Sequence, residues 1–176
     1  TDDLGRLTPQ ISAGWRLPIA VTSSKRSTIL EPRLQFAHVG GPDMTDDIPN
    51  RDSADYRIDE GNLFLLNRYQ GYDYLRPGSR ADMGVSAVAQ DAVLGEVTGF
   101  VGASYRLSGK ASKGLAVNER DALSDIVASL AVNPDLPVSV SWAGRLDSND
   151  LILNESRTTI TGTAGKLGYT VEHQQL

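Results

Sequence analysis

The chain has 176 residues, a formal net charge of −5 and no cysteine. The negative charge argues against the basic surface of a nucleic-acid-binding protein, so no nucleic-acid partner is predicted. The absence of cysteine excludes a disulfide framework, a thiol nucleophile and a cysteine-ligated zinc site, and no apolar run approaches the roughly 18 residues of a membrane-spanning helix.

The dominant pattern along the chain is alternation of apolar and polar residues. In the first segment Ala13, Trp15 and Leu17 are apolar, whereas Gly14 and Arg16 lie between them. Because successive side chains of a strand point to opposite faces, each alternating segment has one apolar face and one polar face. In chain order, the predicted strands lie at approximately residues 9–21, 28–39, 80–91, 94–107, 122–133, 137–147, 150–161 and 165–174.

Turn-forming residues separate most of the predicted strands. Clusters of Gly, Pro, Asn, Asp and Ser occur where the alternation stops. They lie at residues 22–27, 133–135, 148–150 and 162–165. Strands of about ten residues joined by short turns predict an all-β fold, an antiparallel up-and-down meander of about eight long strands. Two connections are longer, at about residues 40–79 and 108–121.

Both a soluble β-sandwich and a transmembrane β-barrel obey this period, so alternation alone does not separate them. Strand length favours the barrel, because a tilted strand needs about 9–11 residues to cross the hydrocarbon layer, whereas sandwich strands have about 5–6. The polar faces also carry charges of both signs in mid-strand, which a water-filled lumen accommodates. We therefore expect part of a large transmembrane β-barrel.

The barrel model assigns each alternating position to lipid or to the lumen. The positions expected to face lipid are Ala13, Trp15, Leu34, Phe36, Val85, Val101, Val140 and Trp142. The candidate lumenal charges are Arg16, Glu31, Arg33, Arg80, Asp82, Glu96, Arg106, Arg145, Glu155 and Arg157. We expect these charges to pair with one another across neighbouring strands rather than to remain free for a ligand.

Three spaced elements lie between residues 48 and 73. They read Ile-Pro-Asn-Arg-Asp-Ser at 48–53, Asp-Glu-Gly-Asn-Leu-Phe at 59–64 and Asn-Arg-Tyr-Gln-Gly-Tyr-Asp at 67–73. Together with Leu-Glu-Pro-Arg-Leu at 30–34 and Val-Gly-Ala-Ser-Tyr-Arg at 101–106, they resemble the barrel signature of the LptD family of lipopolysaccharide-assembly proteins. The residues that match the central motif are Pro49, Asp52, Ser53, Asn62, Leu63, Phe64, Asn67, Arg68, Gly71, Tyr72 and Asp73.

The chain departs from the family pattern at two positions. Tyr74 stands where an arginine is usual, and Ala103 stands where a glutamine is usual. Neither change alters the strand pattern, but contacts specific to those side chains are not carried over. The resemblance covers most of the chain, from about residue 30 to residue 157.

The resemblance implies a barrel segment of the translocon that inserts lipopolysaccharide into the outer leaflet of the bacterial outer membrane. Residues 1–176 would be a middle part of that barrel. The implied partners are lipopolysaccharide, a plug lipoprotein similar to LptE, and periplasmic lipopolysaccharide-transport bridge components that act through an N-terminal domain outside this chain. The alternatives are a general outer-membrane porin or adhesin-type barrel, and a soluble β-sandwich binding domain.

No enzymatic activity is predicted. The chain has no Gly-x-Ser-x-Gly element, no phosphate-binding loop of the Gly-x-x-x-x-Gly-Lys type and no His-Glu-x-x-His motif. The two histidines, His38 and His173, lie in different predicted strands far apart in the sequence, so no metal site and no cofactor are expected.

The long connection at residues 40–79 is expected to be an extracellular loop. Bacterial barrels place short turns on the periplasmic side and longer loops outside, which puts both ends of this connection outside. Its one apolar segment, residues 63–66, is too short for two crossings. We therefore expect residues 62–73 to pack over or into the extracellular mouth, with Asn67, Arg68 and Asp73 as anchors through buried hydrogen bonds.

Overall fold

In a computed structural model, the chain forms an open antiparallel β-sheet. The structure describes residues 7–24, 26–41, 58–68, 77–109, 122–134 and 136–176. Its strands are β1 (Gln10–Arg16), β2 (Ile19–Thr22), β3 (Arg26–Val39), β4 (Gly78–Asp91), β5 (Gly95–Ser108), β6 (Ile126–Asn133), β7 (Val138–Leu146), β8 (Leu153–Ala164) and β9 (Leu167–Gln175). They pair in the order β1-β3-β4-β5-β6-β7-β8-β9, with β2 also on β3. The predicted all-β, up-and-down meander is therefore confirmed. No helix in the described ranges has the length and apolarity needed to cross a membrane.

The first predicted strand, residues 9–21, is divided into β1 and β2. Both parts pair with β3 in one continuous register. The break falls at Leu17 and Pro18, because proline has no backbone N–H to donate to a ladder. The N–H of Leu17 still donates to the Pro32 carbonyl at 3.2 Å, so the interruption is local. β1 and β2 therefore occupy a single strand position in the sheet, next to β3.

Two further strands begin three or four residues later in the structure than the alternation predicts. The strand expected at 122–133 begins only at Ile126, the first residue of β6. Before it, the Ser104 N–H donates to the Ser124 Oγ at 2.9 Å instead of to a backbone carbonyl, which interrupts the ladder. The strand expected at 150–161 begins at the start of β8. The preceding turn contains Leu151 at φ 59°, a left-handed conformation that an extended ladder cannot include.

The connections differ at the two ends of the sheet. At one end, short turns join β2 to β3, β4 to β5, β6 to β7 and β8 to β9. In the β4–β5 turn, the Asp91 carboxylate accepts from the N–H groups of Val93 and Leu94 at 2.9 and 3.2 Å. The connections of residues 40–77 and 109–125 both begin and end at the opposite end, where the β7–β8 turn lies.

The strand register sorts the side chains onto two faces. Trp15 lies opposite Leu34, which lies opposite Met83, and this row belongs to what we call the apolar face. The face shares Ala13, Trp15, Leu34, Phe36, Val85, Val101, Val140 and Trp142. The other side, which we call the polar face, carries Arg16, Glu31, Arg33, Arg80, Asp82, Glu96, Arg106, Arg145, Glu155 and Arg157. All ten candidate lumenal charges thus share one face.

Candidate functional site

Residues 58–68 lie against the polar face of β4, β5 and β6, and we call them the inserted segment. They form turns rather than a strand. Ile58 and Leu63 are 1% and 0% exposed and pack with Phe100 of β5 and Val127 of β6. This cluster is the buried hydrophobic core of the described residues, so the core of this sheet lies between the polar face and the inserted segment.

A local hydrogen-bond pair shapes the start of the inserted segment. The Asp59 carboxylate accepts from the Asn62 N–H, and the Asn62 side-chain oxygen accepts from the Asp59 N–H, each at 2.9 Å. The Leu63 N–H then donates to the Asp59 carbonyl at 3.0 Å. Asp and Asn favour such turns because their short side chains reach neighbouring backbone groups. This turn presents Leu63 to the sheet.

A pair of glycines makes room for that side chain. Gly84 and Gly102 lie directly opposite each other on β4 and β5. A Cβ at Gly102 would lie 2.6 Å from the Leu63 side chain and 2.7 Å from the Phe100 ring, and a Cβ at Gly84 would lie 2.9 Å from that ring. The two glycines therefore allow Phe100 to lie across the sheet and Leu63 to approach it.

A buried ion cluster fixes the end of the inserted segment. Asp82 is 0% exposed, and its Oδ1 accepts hydrogen bonds from the Arg68 guanidinium and from the Ser104 hydroxyl, the latter at 2.7 Å. The Arg68 Nη1 also donates to the Ser104 Oγ at 2.9 Å. Its Nη2 donates to the Leu63 carbonyl at 2.5 Å, which ties the segment to itself. Removing one partner from such a buried pair costs about 3–5 kcal/mol.

Arg80 connects the same cluster to the backbone of the inserted segment. Its Nε donates to the Asp82 Oδ2 at 3.1 Å. Its Nη2 donates to the carbonyls of Leu65 and Leu66 at 2.5 and 3.0 Å. A guanidinium has five donors in a planar fork, so one side chain can serve a carboxylate and two carbonyls at once.

Further contacts lie along the rim of the inserted segment. The Phe64 ring makes an edge-to-face contact with Phe100 at a centroid distance of 6.4 Å, and the Arg33 guanidinium lies 4.4 Å above the Phe64 ring. The Ser129 hydroxyl donates to the Glu60 carboxylate at 2.5 Å. An arginine over an aromatic face and an edge-to-face pair are each favourable geometries. The segment is therefore held at both sides.

A second group of charges lies on β7 and β8. Arg145 donates to Glu155 across the two strands at 3.0 Å, with side chains 14% and 20% exposed. A β-bulge sits beside this pair, because Arg145 lies opposite Glu155 while Leu146 lies opposite Leu153. The extra residue, Asn154, donates to the Asp125 carboxylate at 3.1 Å. The alternation alone assigns Asn154 to the apolar face, and the bulge removes it from the alternating series.

The remaining charges of the polar face have other neighbours. Arg16 lies opposite Arg33, and Arg106 lies opposite Arg80. Arg33 and Glu31 are 3.8 Å apart, Arg157 is 3.4 Å from Glu172 in an exposed pair, and Glu96 accepts from Gln90 at 3.0 Å.

The structure gathers only part of the motif predicted from the sequence. Asn62, Leu63, Phe64, Asn67 and Arg68 lie in the inserted segment. The other motif residues lie outside the described residues: Pro49, Asp52, Ser53, Gly71, Tyr72 and Asp73. Sequence reasoning missed the roles of Ile58 and Ser104. For Ser104 a signal existed, because it belongs to the Val-Gly-Ala-Ser-Tyr-Arg element at 101–106.

The chemistry of this arrangement is that of a docking site for a chain segment. Guanidinium groups, one carboxylate and one hydroxyl hold backbone carbonyls and each other, around an apolar floor. In the described part of the chain, no three His, Asp or Glu side chains converge as a metal site requires.

Comparison with known proteins identifies one family. A family model described as "LptD: LPS transport system D" matches residues 1–175. A search of the curated proteins finds no match.

Proposed function

The chain belongs to the LptD family of lipopolysaccharide-transport proteins, and on that premise we propose that it forms a section of the wall of an outer-membrane β-barrel that inserts lipopolysaccharide into the outer leaflet. In this proposal the apolar face meets lipid and the polar face lines the lumen. The inserted segment then lies in the lumen, against the inner surface of the barrel wall.

The observation that carries the proposal is the separation of the two faces. Large apolar side chains are half-exposed on the apolar face, for example Trp15 at 54%, Phe36 at 51% and Val101 at 48%. Soluble proteins rarely expose a contiguous apolar surface of this extent. A surrounding hydrocarbon layer removes that cost, and the charges on the other face remain in a hydrated lumen.

Strand length and connection length agree with a membrane crossing. β3, β4 and β5 each have 14 residues, more than the roughly 9–11 that a tilted strand needs. Barrels of this class have short periplasmic turns and long extracellular loops. The end of the sheet with the short turns would then be periplasmic, and the connection of residues 40–77 would be extracellular.

Membership of the family supports the proposed substrate and partners. Lipopolysaccharide is the substrate that the family implies. We propose in addition a plug lipoprotein similar to LptE in the lumen, and periplasmic bridge components that deliver lipopolysaccharide to the barrel. The polar face supports a lumenal role, since it carries ion pairs such as Arg145 with Glu155 across β7 and β8.

A pair of neighbouring substitutions tests the assignment of the faces. Val140 lies on the apolar face and Ser141 on the polar face of β7. An arginine facing the bilayer midplane costs about 2–4 kcal/mol, whereas a lumenal arginine remains hydrated. In the full-length protein, Val140→Arg should reduce the amount of folded barrel in the outer membrane, and Ser141→Arg should not. Equal amounts of folded barrel for the two variants would contradict the assignment of the apolar face to lipid and the polar face to the lumen.

A depletion experiment tests the transport role. Cells depleted of the full-length protein should lose lipopolysaccharide from the outer leaflet, measured by labelling of intact cells. A general porin or adhesin barrel would leave the outer leaflet unchanged, so an unchanged level would reject the transport function while leaving the barrel assignment intact.

A further inference from the structure

The Asp82 carboxylate has two arginine partners, one on its own strand and one in the inserted segment. Within the described part of the chain it contacts two guanidinium groups, Arg68 of the segment and Arg80 of β4. The Ser104 hydroxyl of β5 also donates to it. A buried charge becomes strongly unfavourable when it loses all compensation. The wall would therefore keep a paired, hydrogen-bonded Asp82 if Arg68 moved away.

The glycine pair beneath the inserted segment is also covered by a side chain of the sheet. The Phe100 ring lies over the glycine pair, 2.7 Å from a Cβ built at Gly102 and 2.9 Å from one built at Gly84. Phe100 belongs to β5, so its attachment to the sheet does not depend on the inserted segment. An aromatic side chain across strand glycines protects the backbone there from exposure.

The attachment of the segment involves side chains rather than a β-ladder. Among the described residues, its backbone–backbone hydrogen bonds are internal, from Leu63 to Asp59 and from Leu65 to Asn62. Its contacts with the wall are the packing of Ile58 and Leu63 on Phe100 and Val127, the Arg68 cluster, the Arg80 bonds to carbonyls, and the rim contacts of Glu60 and Phe64. An attachment of this kind can open as a local unit without breaking the sheet.

From these three features we propose that the inserted segment, residues 58–68, is a detachable plug on the polar face, with Arg68 as its latch. This plug belongs to the chain itself and is distinct from the plug lipoprotein proposed above. Docked, the plug covers β4, β5 and β6. Undocked, it exposes the Phe100 floor and a wall whose Asp82 is still paired with Arg80 and Ser104. The role of the plug, opening a path for lipopolysaccharide, rests on the proposed function, whereas the docking equilibrium itself does not.

Thiol accessibility in the purified full-length protein tests the docking equilibrium. Leu63 is 0% exposed and Leu65 is 51% exposed, so single cysteines at these positions report on the docked plug and on an exposed control. The labelling rate of Leu63→Cys follows the population of the undocked state when reclosing is fast. Adding Arg68→Ala should raise that rate at least about tenfold, because the buried pair is lost. The rate at Leu65→Cys should stay the same.

A second variant protects this test from a general loss of folding. Ser104→Ala removes the wall hydroxyl that meets Arg68 and leaves every residue of the plug intact. It should raise labelling at Leu63→Cys as well, by a smaller factor. Unchanged labelling at Leu63→Cys in both variants would overturn the latch. A rise at Leu63→Cys together with a loss of the β-sheet signal in circular dichroism would also overturn it, since the sheet would then be opening.

A reversible crosslink in cells tests the role of the plug in transport. Glu60 and Ser129 are joined by a hydrogen bond of 2.5 Å across the plug and the wall, so a cysteine pair there would tie the plug down. Ser139 and Thr161, whose hydroxyls are 2.6 Å apart on β7 and β8, give a matched pair that joins wall to wall. The first crosslink should lower newly exported surface lipopolysaccharide, with recovery after reduction, and the second should not.

The outcomes separate the two proposals. Full crosslinking of Glu60→Cys with Ser129→Cys and unchanged export would overturn a plug that opens for transport. If depletion of the whole protein leaves surface lipopolysaccharide unchanged, the proposed function fails, but the labelling results at Leu63→Cys still decide whether the plug detaches.

Discussion

The Leu63 side chain occupies the space that a side chain at Gly102 would need. A Cβ at Gly102 would lie 2.6 Å from the Leu63 Cδ2 and 2.8 Å from the Met83 carbonyl oxygen. Gly102 on β5 therefore leaves room for the side chain of Leu63, which lies 39 residues earlier in the chain. This contact packs the inserted segment against the sheet.

Gly102→Ala should destabilise the folded protein by about 1–3 kcal/mol, because the added methyl group overpacks a site where a backbone oxygen cannot move away. Gly99→Ala on the same strand is the control, since its nearest neighbours would lie at 3.7 and 3.8 Å, ordinary contact distances. The free energy of unfolding in urea, measured in detergent or lipid vesicles, compares the two. A loss at Gly99→Ala as large as that at Gly102→Ala would contradict the close approach of Leu63.

The carboxylates of the polar face should differ in their contribution to stability according to burial. Asp82→Asn should cost about 3–5 kcal/mol, because two guanidinium groups lose their buried counter-charge. Glu172→Gln should cost less than about 1 kcal/mol, since its pair with Arg157 is about half exposed and screened by water. Glu155→Gln should fall between them, as its pair with Arg145 is mostly buried. Urea unfolding of the three variants gives the order, and equal losses would reject the buried cluster as the main electrostatic anchor.

The two ends of the sheet should lie on opposite sides of the membrane. Val93, in the β4–β5 turn, is 82% exposed, and Asn149 is exposed in the β7–β8 turn at the other end. With single cysteines in a background free of other reactive thiols, a membrane-impermeant thiol reagent added to intact cells should label Asn149→Cys. It should label Val93→Cys only after the outer membrane is permeabilised. Labelling of Val93→Cys alone on intact cells would reverse the orientation of the barrel.

The proposed extracellular position of the long connection could be tested in the same way at residues 46 and 76. Both positions lie outside the described residues. Labelling of both on intact cells is expected if the connection of residues 40–77 begins and ends outside. Labelling of one alone would mean that the connection crosses the membrane.

Some features of the wall were predictable from the sequence because they are local. A strand alternates its side chains with a period of two, so the pattern around Val85 and Asp82 assigns them to opposite faces without knowledge of any partner. The turn at residues 59–64 is also local, since Asp59 and Asn62 bond to backbone groups close by in the chain, but it was not predicted from the sequence.

Other features depended on residues distant in the sequence. Arg68 and Asp82 were each singled out from the sequence, but as a loop anchor and as a lumenal charge; their pairing exists because the segment folds back onto β4 and β5. The same holds for the bulge at Asn154, which no alternation predicts because it depends on the bond to Asp125. The sequence by itself determined the β class and the two faces, because periodicity is a property of the extended backbone alone. Only the tertiary structure decided that Leu63 enters the space above Gly102 and that Arg68 completes the Asp82 cluster, because packing and buried charge depend on which surfaces meet.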